Sequence, residues 1–415
     1  MVGSAEGMGG VTVIVVRVVF APDSFGGTLS AVEAVESMIT GWRSCDSTFG
    51  DELVGVPMSD GGPGFVEVIA AGLRRSARPP GWTPLDPIEE PEVLLATVSG
   101  PLGEPVPVTI AMADHIAYLE SAQACGLHLM RLDERNPWRA GSRGLGEMIA
   151  RVLDAGAERV VIGLGGTGTV DAGAGMLAAL GAHARSRTGD DVTEWMCHGP
   201  AAFADLAWVD LGGTLRESMG VDLVAACDVD VPLTGPSGAA RGFAAQKFAD
   251  PQQATAEELT RLDTEVVHFA ELVRSCGELP DLTEREGAGA AGGIGWALLT
   301  LGATAIPGAD IVATAVDLDG ALDGADLVVT GEGRLDWQSR RGKVVSAVAQ
   351  RASSRGIPVV AIAGRRDLGT RELAAMGIVE AWALAEQPGG LARSMISAHA
   401  VLTDTAARVA AQWRR

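Results

Sequence analysis

Lysine is almost absent from this 415-residue chain: of 32 basic side chains only Lys247 and Lys343 are lysines, and the rest are arginines. Basic excess is lacking altogether. The net charge is −21 and no basic stripe is visible, which argues against a nucleic-acid or anionic-membrane partner. Cysteine is sparse and unpaired. Cys45, Cys125, Cys197, Cys227 and Cys276 are far apart with no CxxC spacing, so they read as free thiols in a reducing compartment. The six histidines show no HExxH or similar spacing, which leaves a zinc site without support. Long apolar runs are missing too. The run over residues 11–20 is broken by Arg17 and is far too short to span a bilayer. Residues 1–10, with Glu6 as their only charged side chain, read as a loose leader and not a secretory signal. The expected location is the cytoplasm.

Glycine is what the chain has in plenty. Its 55 glycines are well above the average usage of about 7 %. They fall at the ends of apolar runs, where strand-to-helix turns need positive φ or close backbone approach. Residues 13–21 read as a strand, and Ser30 can cap a helix ending near Arg43. Residues 53–57 and 66–75 repeat the strand-then-helix pattern. It returns near the C-terminus with strands over 327–330, 358–363 and 379–384, a helix over 343–355 and a final helix. That alternation predicts a doubly wound parallel α/β sheet with helices on both faces.

The middle reads differently. Residues 75–91 are rich in Pro and Arg and read as a linker, 92–120 as short Pro-broken strands, 160–163 as a strand, and 188–220 show no clear period. The economical arrangement is a discontinuous Rossmann-like α/β domain from residues 11–74 and 290–415. It would carry an inserted mixed α/β domain over 75–289.

Five loops share one design, in which a strand ends and small residues with carboxylates precede a helix. They are APDSFGGTLS (21–30), PMSDGGPG (57–64), GLGGTGTVDAGAG (163–175), CDVDVPLTGPSGAA (227–240) and TGEGRLDWQS (330–339); the bare run GAGAAGGIG (287–295) joins them. Glycines at a helix N-terminus expose N–H groups to an anion, while carboxylates suit Mg²⁺, a ribose or a general base. Phosphoryl transfer asks for that combination. Lysine, a compact point charge on a thin stem, fits a narrow phosphate site that arginine's fork does not, and both lysines lie in such segments. GLGGTG (163–168) has the GxGxxG spacing after the 160–163 strand, a weak signal by itself, whereas no GxxxxGK[ST] pattern is present, so a P-loop site is not supported.

In order along the chain, APDSFxGxLSA, SDGGxG, GSRGxGE (141–147), GLGGTxTxDxGAG, ACDVDxPLTGPxGAA, AQK, GAGAAGGIG and TGEGRLDxQSxxGK resemble the motifs of the bacterial glycerate kinase family, over residues 16–384. The resemblance implies a two-domain α/β enzyme with its active site in the interdomain cleft, using ATP and Mg²⁺ to phosphorylate a hydroxyl of a small hydroxy acid, most simply D-glycerate. The implied partners are the acid and a nucleotide; the sequence leaves the oligomeric state open, with a homodimer as one arrangement.

Asp171 is the candidate general base, with a helix N-cap as the equal alternative. Lys247 and Lys343 are candidates for holding the phosphates, against surface charge, and Asp228, Asp230 and Asp336 for ordering Mg²⁺, directly or through water, against turn capping. Arg143 and Arg334 could clamp the acid's carboxylate, or form exposed salt bridges. The resemblance places Asp23, Ser24, Asp60, Gly61, Gly62, Glu120 and Ser142 with the acid. It places Gly165, Gly166, Thr167, Gly292, Gly293, Glu332, Gln338 and Ser339 with the nucleotide.

Several positions depart from the family pattern. Gly26 stands where a lysine is usual, Pro63 for glutamate, Phe65 for threonine, Val170 and Val231 for asparagine, and Val345 for proline. These changes point to an acceptor pocket reshaped for a less polar acid, or to a silent homologue that binds a metabolite or partner.

Overall fold

The computed structural model describes residues 15–45, 48, 50–76, 91–212, 220–277, 279–340 and 343–414. The leader (1–10), the start of the first apolar run and nearly all of the linker expected over 75–91 lie outside these residues. Among the described residues thirteen strands follow in chain order: β1 (Arg17–Pro22), β2 (Glu52–Gly55), β3 (Glu92–Ser99), β4 (Pro105–Ala113), β5 (Ile116–Glu120), β6 (Arg159–Gly163), β7 (His183–Ser186), β8 (Leu206–Asp210), β9 (Asp222–Ala226), β10 (Thr304–Ile306), β11 (Leu327–Leu335), β12 (Val359–Arg366) and β13 (Ile378–Ala383). The chain divides into two compact units. One comprises Met1–Ser59, Ala71–Ile88 and Ala309–Arg415; the other comprises Asp60–Ala70 and Glu89–Gly308.

The first unit is built on a five-stranded, wholly parallel sheet of order β13-β12-β11-β1-β2. Successive strand residues face opposite sides. Val18 and Phe20 of β1 pack with Leu327, Val329, Val360 and Ile362 beneath the helices Ala31–Arg43 and Ala398–Trp413. The helix Val344–Ser354, with Val344, Val345 and Val348 buried, packs on β1, β11 and β12. Ser30 caps Ala31–Arg43 through a capping box with Glu33. From β1 the chain winds outward to β2, and from β11 it winds the other way to β12 and β13. The switch point therefore lies between β1 and β11, where doubly wound sheets bind ligands beyond the strands' carboxyl ends.

The second unit holds a six-stranded mixed sheet of order β10-β9-β6-β5-β4-β3 and a small β7-β8 ribbon. Strands β10, β9, β6 and β5 are parallel, while β3 and β4 form an antiparallel hairpin. The boundaries differ from those expected at 74/75 and 289/290. The loop at residues 60–64 packs on the ends of β6 and β9, and β10 pairs with β9, so both segments stay with the middle of the chain. Among the described residues, no helix is long and apolar enough to cross a membrane.

Candidate active site

In the second unit the carboxyl ends of four parallel strands converge on the loop Asp60–Gly64. Gly61 has φ +95°, and a Cβ there would come within 2.7 Å of the Ala226 carbonyl oxygen at the end of β9. A Cβ on Gly165, just past β6, would approach the Gly62 Cα to 2.8 Å. Glycine is thus required by close backbone contact, and Gly61 and Gly62 are buried within the stack. Asp60, Gly165, Gly166, Asp228 and Asp230 keep partial or full exposure there. Asp228 and Asp230 directly follow β9, two residues apart. Thr167, by contrast, is buried and bridged to Gly126.

Glu120, expected near the acid, has another job. Its Oε2 accepts from the Gly64 and Val66 N–H groups (3.1 and 3.4 Å), which lie at the start of the helix Phe65–Ser76. An acidic side chain 56 residues away in sequence thus satisfies that helix's orphan donors. Burial pushes its carboxyl up, against the pull of these hydrogen bonds.

Asp171 is fully buried. Its oxygens accept from the Ser142 N–H (2.8 Å), the Ser142 hydroxyl (2.7 Å), and the Gly173 and Gly175 N–H groups (3.2 Å each). The Ser142 hydroxyl in turn accepts from Met176 N–H at 3.0 Å. The carboxylate thereby ties the helix Ala174–Ala179 to the start of the helix Arg143–Asp154. Burial raises its pKa, opposed first by the Ser142 hydrogen bond. The carboxylate thus accepts from N–H groups at the start of the helix Ala174–Ala179, whose N-cap residue is Gly173 and not Asp171, and Ser142 belongs to the same network.

Lys247 is 2 % exposed and not a surface charge; its Nζ donates to the Thr169 carbonyl at 2.7 Å. Burial lowers its pKa to about 8, with the Asp171 carboxylate opposing that fall. Gly292 and Gly293 also support this loop from behind. A Cβ on Gly292, at φ +71°, would collide with the Thr169 carbonyl, and Gly292's own carbonyl accepts from Ala172 N–H at 3.1 Å. Gly292 and Gly293 are buried and pack directly on the 169–172 loop.

Arg143 is taken as well. It meets Glu147 at 3.0 Å and both oxygens of Glu194 at 2.8 Å, so its fork is occupied by carboxylates of the protein itself. Sequence reasoning gave Glu147 no role, and it also overlooked Asp263. The Asp263 carboxylate accepts from Gly235 N–H at 3.1 and 3.2 Å and so holds the 227–240 loop from a helix 28 residues downstream. The i,i+4 spacing of Arg143 and Glu147 in GSRGLGE could have signalled that pair, whereas no local pattern signals Asp263.

In the first unit the switch point gathers Asp23, Ser24, Glu332, Arg334, Asp336 and Lys343 on adjacent segments. Gly333 N–H donates to Ser24 O at 3.1 Å, and a Cβ there would lie 2.7 Å from Gly26 N, so the β11 end crosses directly over the first loop. Asp23 accepts from Ser24 N–H at 2.6 Å. Arg334 pairs with Asp367 (2.6 Å) and Asp336 (3.4 Å) in the exposed form that was the alternative to a clamp. Asp336 accepts from Gln338 N–H at 2.8 Å and its own N–H donates to the Ser339 hydroxyl at 3.0 Å, which folds the turn after β11. Ser339 is buried, whereas Gln338 is exposed. Lys343 is the N-cap residue of the helix Val344–Ser354.

The departures from the family pattern sort by burial. Phe65, Val170 and Val345 are each 0 % exposed, Phe65 against Tyr118 and Val170 in the core of the second unit. They cannot reshape an acceptor pocket. Gly26, at φ +54°, sits in a conformation that a lysine would adopt only with strain.

Comparisons with known proteins agree with this architecture. The model of the glycerate kinase family matches residues 18–414. Glycerate kinase of Bacillus subtilis (strain 168) is 41 % identical over 352 residues, covering 84 % of this chain and 85 % of that one. Glycerate 2-kinase of Escherichia coli (strain K12) is 37 % identical over 352 residues, with 84 % and 85 % covered. A crystal structure from Salmonella typhimurium LT2, assigned as glycerate kinase 2, superposes with a TM-score of 0.74 at 34 % identity, covering 96 % of this chain and 98 % of that one. By fold, sequence and loop design alike, the chain belongs to the glycerate kinase family.

Proposed function

We propose that the protein transfers the γ-phosphoryl group of Mg-ATP to a hydroxyl of D-glycerate, giving a phosphoglycerate and ADP. Family membership supports a kinase acting on glycerate. The observation that carries the phosphate chemistry is the switch point between β1 and β11. There Asp23, Ser24, Asp336 and Lys343 lie on loops beyond the strands' carboxyl ends.

Lys343 would neutralise phosphate charge, aided by the N–H groups of the helix it caps. Asp60, half-buried on the loop of the second unit, would orient the acid's hydroxyls. Asp228 and Asp230 suit Mg²⁺. Among the described residues no three His, Cys, Asp or Glu side chains come close enough to form a protein-only metal centre. Magnesium does not need one, since it is usually held by one or two carboxylates plus phosphate and water. When bound it would neutralise charge developing on the transferred group.

Of the three substitutions that favour a less polar acceptor, Phe65 and Val170 are core residues, whereas Val231 is half-buried. The test is glycerate-dependent ADP release from Mg-ATP, measured for the unmodified protein and for Lys343→Arg. The unmodified protein should turn over. Lys343→Arg should lose at least about tenfold in kcat/KM for ATP, roughly 1.4 kcal/mol of transition-state stabilisation. Equal kinetics in a folded variant would assign Lys343 to the surface, and no ADP release from the unmodified protein would refute the activity.

A further inference from the structure

Behind the exposed rim at Gly165 and Gly166, the loop over residues 169–175 is gripped from three directions. Lys247 Nζ holds the Thr169 carbonyl at 2.7 Å. The Ser142 backbone and hydroxyl hold Asp171. Gly292 accepts from Ala172 N–H. Within that grip the backbone is strained at two non-glycine residues: Ala172 has φ +51° and Ala291 has φ +52°. A left-handed alanine is strained and persists only where its surroundings over-determine it. Two such alanines, in two glycine-rich motifs joined by the hydrogen bond from Ala172 N–H to Gly292 O, mark a backbone shape that is held against its own preference. The Lys247 grip is unusual, because it spends a buried ammonium on one peptide carbonyl.

We propose that Lys247 is a positioning residue for phosphoryl transfer, fixing the Thr169 carbonyl and with it the left-handed turn that shapes the glycine loop. The inference rests on the kinase reading given above. It assigns Lys247 no contact with substrate. A thin-stemmed ammonium reaches the buried carbonyl end-on, which arginine's planar fork does not.

The charge on Lys247 makes the role measurable. Two titratable groups act on it: Asp171, in the loop itself, and the buried thiol of Cys125, which closes the short helix Ser121–Cys125. The pKa of about 8 puts loss of the charge in a mildly alkaline range, where the thiol, pushed far up by burial, does not titrate. A charge-assisted hydrogen bond is roughly twice as strong as a neutral one, so the grip on Thr169 loosens as pH rises through 8. Stability behaves oppositely. The folded pKa lies below the unfolded value of about 10.4, so the cost of burying the charge is present below pH 8 and relieved between the two values. Activity should therefore fall where this group's contribution to stability rises.

The experiment is the pH dependence of glycerate-dependent ADP release from about pH 6.5 to about 9.5, with melting temperatures alongside. The unmodified enzyme should show an alkaline limb near pH 8 without a matching loss of stability. Lys247→Arg holds its charge far beyond that range, so the limb should vanish at a rate lowered about tenfold. Asp171→Asn removes the field that holds the lysine's pKa up, so the limb should move toward neutral pH. This second variant decides the matter if the arginine variant does not fold. A missing limb in the unmodified enzyme, a limb that survives in folded Lys247→Arg, or one unmoved in Asp171→Asn would each overturn the positioning role. Absence of ADP release at every pH would instead refute the kinase reading and take this inference with it.

Discussion

Asp171→Ala should lower the melting temperature by roughly 6–12 °C. The carboxylate accepts four hydrogen bonds in a fully buried site, from Ser142 twice and from Gly173 and Gly175. Alanine leaves those donors stranded, at about 1–3 kcal/mol for each one that finds no new partner. It also removes the negative charge that offsets the buried Lys247 ammonium. A loss of about 3 kcal/mol is a conservative sum, and each kcal/mol moves the midpoint by about 2–4 °C in a domain of 150–250 residues. Asp171→Asn keeps the shape and one acceptor oxygen, so it should retain most of the stability and lose less than about tenfold in kcat at neutral pH. A general base contributes about 10²–10⁴-fold. A loss of that size in a stable Asp171→Asn protein would restore Asp171 to the chemistry.

Gly292→Ala should cost about 10²-fold in kcat/KM. The added methyl group would collide with the Thr169 carbonyl oxygen, the acceptor that Lys247 holds, at a backbone φ of +71° that alanine resists. Neither side can yield cheaply: the obstacle is backbone, and Gly292's own carbonyl is fixed by Ala172 N–H. Displacement of the 169–173 loop follows, and a shift of about 1 Å near the chemistry is enough for a 10²-fold loss. Stability should fall as well, by about 1–3 kcal/mol for an overpacked site. Gly26→Ala is the matched control, since a Cβ there meets nothing within 4 Å and only the left-handed φ opposes it.

Regular elements were legible where local chemistry determines them. Ser30 and Glu33 form the capping box that opens the helix Ala31–Arg43, as the serine's position implies. Strand β11 was read as ending at Thr330, because Gly331–Arg334 carries the residue types of a loop. It runs to Leu335 because β12 pairs with it that far and glycine allows the close approach. In the middle of the chain Pro105 and Pro107 suggested broken strands. They lie in the part of β4 that pairs only with β3, since β5 joins β4 only at Ala111–Ala113, and an open strand edge tolerates proline.

The candidate site was legible in outline but not in direction. Glycine-rich loops have no periodicity, so nothing in the sequence says which way a side chain points. Glu120, Ser142, Asp171 and Lys247 therefore read as accessible polar groups, and each is buried with hydrogen bonds to neighbouring backbone or side chains. The same blindness made Phe65 and Val170 look like changes to a pocket. Fold class survived because it depends on alternation along the whole chain, whereas site roles depend on contacts between distant segments.

The central claim is that this is a kinase with an ordinary polyhydroxylated acceptor, and the most direct measurement is kcat/KM across acceptors with Mg-ATP. The panel is D-glycerate, lactate, 3-hydroxypropionate and an alkyl-substituted hydroxy acid. A site built to hydrogen-bond a hydroxyl rejects analogues that lack it by as much as about 10⁴-fold. D-glycerate should reach at least about 10⁴ M⁻¹s⁻¹ and exceed each analogue by at least about 10²-fold. Preference for the alkyl-substituted acid, or a D-glycerate value no higher than those of the acids with one hydroxyl fewer, would contradict it.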